Sequence, residues 1–285
     1  HPLLKDWFLE KYSAPTEIQE KSWDVISKGH HCLITAPTGS GKTLAAFFWA
    51  IDSLIRNPSH EKSVKALYIS PLKALNSDVR RNLEEPLGEL AGYFRKRKEI
   101  FPEIRVAVRS GDTGISERKS ALRHPPEIYI TTPESLNILL SSKSADILFK
   151  SLDFVILDEI HSTIGTKRGT FLMSAIERLA IRYGEFQRIA LSATIKPLQI
   201  SADFVGGFQL KVRGEKSDLF KRNVVIIESN SKKNYRVSIE FPKEPPESQA
   251  IDSLWYKILA NSFKAIIKRN RSTIFFAESR RLVEK

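Results

Sequence analysis

Residues 36–43 read Ala-Pro-Thr-Gly-Ser-Gly-Lys-Thr, and no other stretch of this sequence restricts the possible fold as strongly. The apolar run 32–34 comes just before it and the apolar-rich stretch 44–55 follows, so the predicted order is strand, loop and helix. Such a loop directs several backbone N–H groups and the positive end of a helix toward one point. The sequence therefore predicts a phosphate-binding loop. A chance match in an unrelated fold is the alternative, which the flanking strand and helix disfavour.

The residue types in and near this loop suit a nucleoside triphosphate with magnesium. Gly39 and Gly41 allow backbone conformations that a Cβ would block. Lys42 brings a mobile positive charge, and the Thr43 hydroxyl can ligate a magnesium ion held between phosphates. Upstream, the amide of Gln19 has the donor and the acceptor that read adenine, although a surface glutamine is the simpler alternative. The residues predicted to bind ATP are Gln19, Thr38, Gly39, Ser40, Gly41, Lys42 and Thr43.

Apolar strands alternate with amphipathic helices along most of the chain, which predicts an α/β fold with a mostly parallel sheet covered by helices on both faces. The predicted strands are 32–35, 65–69, 105–108, 127–130, 154–157, 189–191, 209–212 and 224–227. From about residue 232 the pattern changes, with strands predicted at 235–241 and 273–276 and a helix at 251–267. Because this last stretch is short for an α/β domain, we expect a first domain at 1–231 and the incomplete start of a second at 232–285.

Composition favours an intracellular protein with a polyanionic partner. The formal net charge is +12, which favours nucleic acid. The single cysteine, Cys32, excludes an intrachain disulfide and is typical of a reducing compartment. No apolar run approaches the ~20 residues of a membrane span. We therefore expect a cytoplasmic protein.

Two acids follow a fully apolar strand directly, and in an open parallel sheet ligands bind beyond the carboxyl ends of the strands. We expect Asp158 to hold magnesium through water and Glu159 to orient and deprotonate an attacking water. Two solvated acids at a strand end are the alternative. The predicted catalytic residues are Glu159, Asp158 and Lys42, and the predicted metal ligands are Thr43 and Asp158. His161 is ambiguous alone, because a lone histidine is more often a structural hydrogen-bonding group.

A hydroxyl residue followed by proline ends two other predicted strands, at Ser70-Pro71 and Thr132-Pro133. The N–H groups at such helix starts can bind the phosphates of a nucleic-acid strand, although plain helix capping is the alternative at either site. Two such caps, with the loop around Gly111, favour a track that contacts the backbone without reading sequence. The residues predicted to bind nucleic acid are Pro71, Lys73, Asn76, Ser110, Gly111, Asp112, Thr132, Pro133 and Glu134.

Together these motifs resemble the superfamily 2 helicases, and within that group the large helicase-related (Lhr) family of archaeal and bacterial DNA helicases. The resemblance is carried by Pro-Thr-x-x-Gln at 15–19, the loop 36–43, Pro-Leu-Lys-Ala-Leu-Asn at 71–76, Ser-Gly-Asp-Thr at 110–113, Thr-Thr-Pro-Glu-Ser-Leu at 131–136, Asp-Glu-Ile-His at 158–161, Lys-Arg-Gly at 167–169 and Ser-Ala-Thr at 192–194.

The resemblance implies two tandem RecA-like domains, with ATP and Mg²⁺ between them and single-stranded DNA, or a duplex with a single-stranded tail, across both. It implies that His161, Ser192 and Thr194 couple the state of ATP to the strand, and that stepping runs 3′ to 5′. Phe275–Arg280 resembles the opening motif of the second domain. Because that domain supplies arginines to the ATP site, we expect this chain alone to bind ATP weakly, to hydrolyse it poorly and not to unwind a duplex. The resemblance also implies a prokaryotic and specifically archaeal source. An RNA helicase, a nucleic-acid-binding module with a vestigial nucleotide site and a small-molecule kinase are the alternatives.

Overall fold

The structure is a computed structural model that describes residues 1–58, 62–71, 73–213, 216–229, 237–239, 251–276 and 278. The chain divides into two compact units, residues 1–231 and 232–285. In the described residues of the first unit, seven parallel strands form one sheet in the order β3-β4-β2-β5-β6-β1-β9. These strands are β1 (His31–Thr35), β2 (Ala66–Ile69), β3 (Val106–Arg109), β4 (Ile128–Thr131), β5 (Phe154–Leu157), β6 (Gln187–Ser192) and β9 (Val224–Glu228).

Helices cover both faces of this sheet, as predicted. The helices of the first unit are α1 (Pro2–Tyr12), α2 (Glu17–Ser27), α3 (Lys42–Arg56), α4 (Lys73–Lys96), α5 (Ile115–Arg123), α6 (Pro133–Leu140), α7 (Ser144–Leu148), α8 (Lys167–Tyr183) and α9 (Leu198–Gly206). A short 3₁₀ helix, Ile160–Ser162, follows β5. Within the described residues, no helix has the length and apolar character that a bilayer crossing requires.

The core has two layers because alternate residues of a strand point to opposite faces of the sheet. On β2, Ala66 and Tyr68 pack with α1 to α4, whereas Leu67 and Ile69 pack with α6 to α9. The central strands β2, β4 and β5 are buried at every residue, as expected for parallel strands covered on both sides. Since all seven strands run the same way, the segments that follow them emerge at one edge, here called the carboxyl edge. The opposite edge is the amino edge.

Two expectations about the later part of the chain are wrong in detail. The strand predicted at 209–212 is β7 (Phe208–Arg213), which does not join the parallel sheet but pairs antiparallel with an unpredicted strand, β8 (Lys216–Lys221). Residues 273–276, predicted as a strand, are not in one. Residues 237–239 are also outside any strand, and the rest of the prediction at 235–241 falls outside the described residues. The second unit contains α10 (Ile251–Arg269), which agrees with the predicted helix.

Candidate functional site

The loop that joins β1 to α3 has the backbone shape expected of a phosphate-binding loop. Gly39 and Gly41 have φ angles of +79° and +90°, in the left-handed region that favours glycine. A Cβ on Gly41 would lie 2.5 Å from Nε2 of Gln19, so a side chain there would displace the Gln19 amide in addition to straining the backbone. Gly41 is also the N-cap of α3 and has no side chain to cap the helix. The first N–H groups of α3 therefore face the mouth of the loop.

Lys42 lies at the start of α3, and its side chain folds back across this loop. Its ammonium nitrogen is 2.5 Å from the carbonyl oxygen of Ala36 and 3.0 Å from that of Pro37. The residue is buried, so its positive charge is held against the backbone of the loop. A helix start and a buried ammonium are the donors that a triphosphate needs, so these residues fit the phosphates of ATP.

Gln19 lies beside the loop, but its amide is engaged within the protein. Its oxygen accepts a hydrogen bond of 2.9 Å from the backbone N–H of Thr16, which forms a capping box at the start of α2. Its Nε2 donates to the carbonyl of Gly41 at 3.4 Å. The Thr16 hydroxyl in turn donates to the carbonyl of Ser40 at 3.0 Å. Gln19 therefore joins α2 to the phosphate loop, and its contact with adenine stays a prediction.

Asp158 and Glu159 follow β5 at the carboxyl edge. The carboxylate of Asp158 accepts hydrogen bonds from the backbone N–H of Glu159, at 2.7 Å, and from the hydroxyl of Tyr68. Burial raises the pKa of Asp158, and the hydrogen bonds and the positive charge of Lys42 oppose this rise. Glu159 has a φ of +50°, an uncommon conformation for a residue with a side chain, and this turn brings its N–H onto Asp158.

His161 connects Glu159 to the end of β6. Its Nε2 is 3.2 Å from Oε2 of Glu159, and its Nδ1 is 3.3 Å from the backbone nitrogen of Ala193 and 3.4 Å from the hydroxyl of Ser192. Because a backbone N–H only donates, Nδ1 is the acceptor and the proton lies on Nε2, which donates to Glu159. The structure thus brings three of the predicted residues together. Thr194, two residues beyond β6, is exposed.

The two halves of the predicted metal site belong to the same edge of the sheet. Lys42 and Thr43 follow β1 and Asp158 follows β5, with only β6 between these strands, so the strands are about 10 Å apart. In the part of the chain that the structure describes, no cluster of three or more His, Cys, Asp and Glu side chains could hold a metal. Magnesium at this place would use few protein ligands with phosphate oxygens and water, which is its usual preference.

The segments predicted to bind nucleic acid follow β2, β3 and β4 at the same edge. Thr132 caps α6, since its hydroxyl accepts a hydrogen bond of 3.3 Å from the N–H of Ser135, and Pro133 is the first residue of that helix. Ser70 and Pro71 are buried, whereas Gly111 and Asp112 are exposed. Lys73 and Asn76 lie in the first turn of α4, but their side chains are outside the described part. Capping is therefore present at Thr132, whereas α4 begins at Lys73, so Pro71 lies before that helix and does not open its first turn as predicted. Strand binding stays a prediction.

Comparison with known proteins decides the family. Residues 16–201 match the model for DEAD/DEAH box helicases, which is well over half of the chain. The chain belongs to the DEAD/DEAH box helicase family. Its sequence is 37% identical over 306 residues to the Lhr helicase/uracil glycosylase of Escherichia coli K12, covering 100% of this chain and 19% of that protein. It is 39% identical over 292 residues to the ATP-dependent helicase Lhr-Core protein 2 of Thermococcus barophilus, covering 99% of this chain and 32% of that protein.

A solved structure of the Mycobacterium smegmatis helicase Lhr bound to ssDNA and AMP-PNP matches this helicase-family chain with a TM-score of 0.83 and 36% identity, covering 100% of this chain and 34% of that one. The predicted RecA-like fold and the resemblance to superfamily 2 and to Lhr are therefore confirmed. The chain spans between 19% and 34% of the length of these relatives.

Three side chains at the carboxyl edge of this helicase-family chain were not predicted to matter. Tyr68 donates to Asp158 from the neighbouring strand. Arg118, on α5, donates to the carbonyls of Ser110 and Gly111 at 3.4 and 3.1 Å and so fixes the loop after β3. Arg168 pairs with Glu134, another residue predicted to bind nucleic acid. Among these three, Arg168 had a signal in the sequence, the Lys-Arg-Gly string at 167–169.

Proposed function

We propose that this chain is the ATP-binding part of a helicase or translocase that hydrolyses ATP with Mg²⁺ and acts on single-stranded DNA or on a duplex with a single-stranded tail. One observation carries the proposal. A single sheet edge holds, on neighbouring strands, the phosphate loop, the acids Asp158 and Glu159, and the two proline-led segments at Pro71 and Pro133. ATP and the nucleic-acid backbone would then lie side by side.

The nucleotide would be held by the loop 38–43, with Thr43 and Asp158 toward magnesium. When bound, the ion would neutralise charge on the phosphates. Burial and the hydrogen bonds to Asp158 hold that carboxylate in one orientation. Glu159 is half-buried and accepts a hydrogen bond from His161, which orients its carboxylate to take a proton from an attacking water. The ATP and Mg²⁺ roles of these residues stay proposals.

The contacts of His161 also support coupling between hydrolysis and the strand. One ring nitrogen meets Glu159 and the other meets residues 192–193. The backbone of Ser192 in turn accepts a hydrogen bond of 3.2 Å from the N–H of Ala36, at the start of the phosphate loop. A shift of β6 would therefore move contacts of both the phosphate loop and Glu159. Thr194 lies next on this segment, and its part in coupling stays a prediction.

DNA is favoured over RNA because the Mycobacterium smegmatis relative is bound to ssDNA. The test is the ATPase rate of the complete protein with no nucleic acid, with single-stranded DNA and with single-stranded RNA. We expect stimulation by DNA that weakens steeply with salt, since the contacts go to phosphates. Stimulation by RNA alone would contradict the assignment to DNA and favour the RNA helicase alternative.

Variants of the same protein separate a motor from a binding module with a vestigial nucleotide site. We expect Lys42→Ala and Glu159→Gln each to lower DNA-stimulated turnover by about 10²–10³-fold, because each removes a charged group aimed at the reacting phosphates or water. Lys65→Ala is the matched control, since Lys65 lies at the amino edge beside Ser151. If neither Lys42→Ala nor Glu159→Gln changed turnover, the motor proposal would fail.

Several finer statements stay predictions. They are the domains at 1–231 and 232–285, the 3′-to-5′ direction, ATP binding without unwinding by this chain alone, and a cytoplasmic location. The relatives come from bacteria and from archaea, so the archaeal source is also untested.

A further inference from the structure

Arg168, the second residue of α8, reaches two segments that are distant in sequence. Its Nη2 donates to the carbonyl oxygen of Pro71 at 2.7 Å. Its Nε and Nη2 donate to the two carboxylate oxygens of Glu134 at 2.7 and 3.1 Å, which is the bidentate arrangement that a planar guanidinium allows. One side chain therefore bridges the segment after β2 and the first turn of α6.

The two bridged segments are the proline-led ones proposed to contact the nucleic-acid backbone. They follow β2 and β4, which are neighbours in the sheet. Ladder hydrogen bonds fix the spacing of the strands, but that constraint ends where the strands end. Beyond that point, Arg168 supplies a link between the Pro71 segment and α6 through the side chain of Glu134. A strand that contacts both segments needs their spacing to be fixed.

The backbone that carries Arg168 is itself held in place. The Thr166 hydroxyl caps α8 by accepting a hydrogen bond of 3.1 Å from the N–H of Gly169, and it donates to the carbonyl of Thr163 at 2.6 Å. A Cβ on Gly169 would collide with that carbonyl, so α8 begins in direct contact with this backbone. The Thr163 hydroxyl donates to the carbonyl of Ile160 at 2.9 Å. A continuous set of contacts thus runs from the 3₁₀ helix after Glu159 to Arg168.

The pairing with Arg168 also lowers the pKa of Glu134 and balances its negative charge. Partial burial works to raise the pKa of Glu134, but the hydrogen bonds from Arg168 prevail and lower it. The carboxylate therefore stays ionised at neutral pH, next to a surface proposed to meet phosphates. Its negative charge is balanced by the guanidinium that it binds.

We propose that Arg168 is a positioning residue for the nucleic-acid strand. It holds the Pro71 segment and the start of α6 at a fixed spacing, so that their contacts with the sugar–phosphate backbone form together. It also balances the charge of Glu134. This inference rests on the proposed function, and it adds a residue that touches neither ATP nor the reacting atoms.

The test uses the complete protein and measures the dissociation constant for a fluorescent oligo(dT) strand, the KM for ATP and the unfolding temperature. We expect Arg168→Ala to weaken DNA binding by about tenfold, because charge-assisted hydrogen bonds to both segments are lost. The KM for ATP should stay within about twofold, since no ATP contact is removed. Arg182→Ala is the matched control, because Arg182 lies on the same helix and pairs with Asp146 at the surface. It should change neither constant.

Two further variants separate positioning from charge. The double variant that combines Arg168→Ala with Glu134→Gln removes the unbalanced carboxylate but does not restore the bridge. We therefore expect its affinity for DNA to exceed that of Arg168→Ala by no more than about threefold. Arg168→Lys keeps the charge but lacks the fork that meets both partners, so it should also fail to restore binding. DNA binding equal to that of the parent in any of the three variants would overturn the inference. So would a parallel loss of ATP affinity and unfolding temperature, which would mean a general structural defect.

The parent protein separates this inference from the proposed function. If the parent does not bind oligo(dT), the proposed function fails, and the role of Arg168 fails with it. If the parent binds and Arg168→Ala binds equally well, only the role of Arg168 is contradicted.

Discussion

Apart from the partly exposed pair of Arg168 with Glu134, the charged side chains at the carboxyl edge of the sheet have partners of a different kind from those at the amino edge. At the carboxyl edge, Lys42 donates to carbonyls of its own loop and Glu159 meets a neutral histidine ring. At the amino edge, Arg188 and Arg222 are paired with glutamates. Contacts with backbone dipoles can be exchanged for a ligand at small cost, whereas opening a buried ion pair leaves a charge uncompensated. We infer that the first arrangement serves binding and the second serves stability.

At the amino edge, one buried arginine makes several charge-assisted hydrogen bonds, although its Nε has no partner among the described residues. Arg188, at the start of β6, is 0% exposed and donates to both carboxylate oxygens of Glu177, at 2.8 and 3.1 Å. It also donates to the carbonyl of Gly206 at 2.9 Å. Arg222 donates to the two carboxylate oxygens of Glu185 at 2.9 and 2.7 Å. This cluster joins β6, α8, the end of α9 and the base of the β7–β8 hairpin.

The largest expected effect comes from breaking this cluster. Arg188→Ala should lower the free energy of unfolding by about 3 kcal/mol, because it removes the buried guanidinium that donates to Oε2 of Glu177 and to the carbonyl of Val205. Arg222 still donates to Oε1 of Glu177 and to the carbonyl of Gly206, so part of the cluster remains. Urea unfolding followed by circular dichroism measures the change. Arg182→Ala, which removes an exposed pair with Asp146, should cost at most about 1 kcal/mol. ATP turnover per folded Arg188→Ala molecule should stay close to the parent rate. If Arg188→Ala were as stable as Arg182→Ala, the buried cluster at the amino edge would contribute no more stability than an exposed ion pair.

For His161, at the carboxyl edge, the same comparison predicts a loss of turnover with little change in stability. Replacing His161 by Ala removes the link between Glu159 and residues 192–193, so DNA-stimulated turnover of the complete protein should fall by about tenfold, which is about 1.4 kcal/mol. The free energy of unfolding should change by about 0.5 kcal/mol or less, because the side chain is partly exposed. His124→Ala, at the exposed residue that follows α5, is the control. A loss of stability with unchanged stimulation would make His161 a structural residue.

Sequence reasoning located the carboxyl edge well because its signals are local. Each predicted site segment directly follows an apolar run, and a parallel sheet brings the ends of such runs to one edge. The strand predicted at 154–157 has the observed bounds, and the two acids follow it. The phosphate loop and the α6 cap are also recognisable locally, because their glycine, proline and hydroxyl residues favour the backbone conformations that these turns require.

The contacts that sequence reasoning missed depend on the order of the strands. Tyr68 meets Asp158 because β2 lies beside β5, and Arg168 meets Pro71 across 97 positions of the chain. No pattern along a single element contains that information. Arg188 was also missed, since an arginine in a strand is expected to face solvent unless its partners are known. The strand β8 has too few apolar residues in alternation to be recognised.

The smallest expected effect is a pH dependence at the amino edge, where His31 accepts a hydrogen bond of 3.1 Å at Nδ1 from the backbone N–H of Arg188. Burial, followed by the charges of Arg188 and Arg222, lowers the pKa of His31 to about 4 from 6.5, and Glu185 only partly opposes this. Between these values the unfolded chain binds a proton that the folded chain does not. Stability that is present above pH 6.5 is therefore lost as the pH falls toward 4.

Because the His31 side chain is partly exposed, we expect the loss to be about 1 kcal/mol. Urea unfolding at pH 7.5 and at pH 4.5 measures it, and His31→Gln should reduce the difference between the two conditions, since a glutamine takes up no proton. His124→Gln should leave the difference unchanged, because His124 is exposed. If the free energy of unfolding depended on pH equally in the parent and in His31→Gln, protonation of His31 would not be the cause of that dependence. The amino edge would then contribute stability that is insensitive to pH, and the contrast between the two edges would rest on the ion pairs alone.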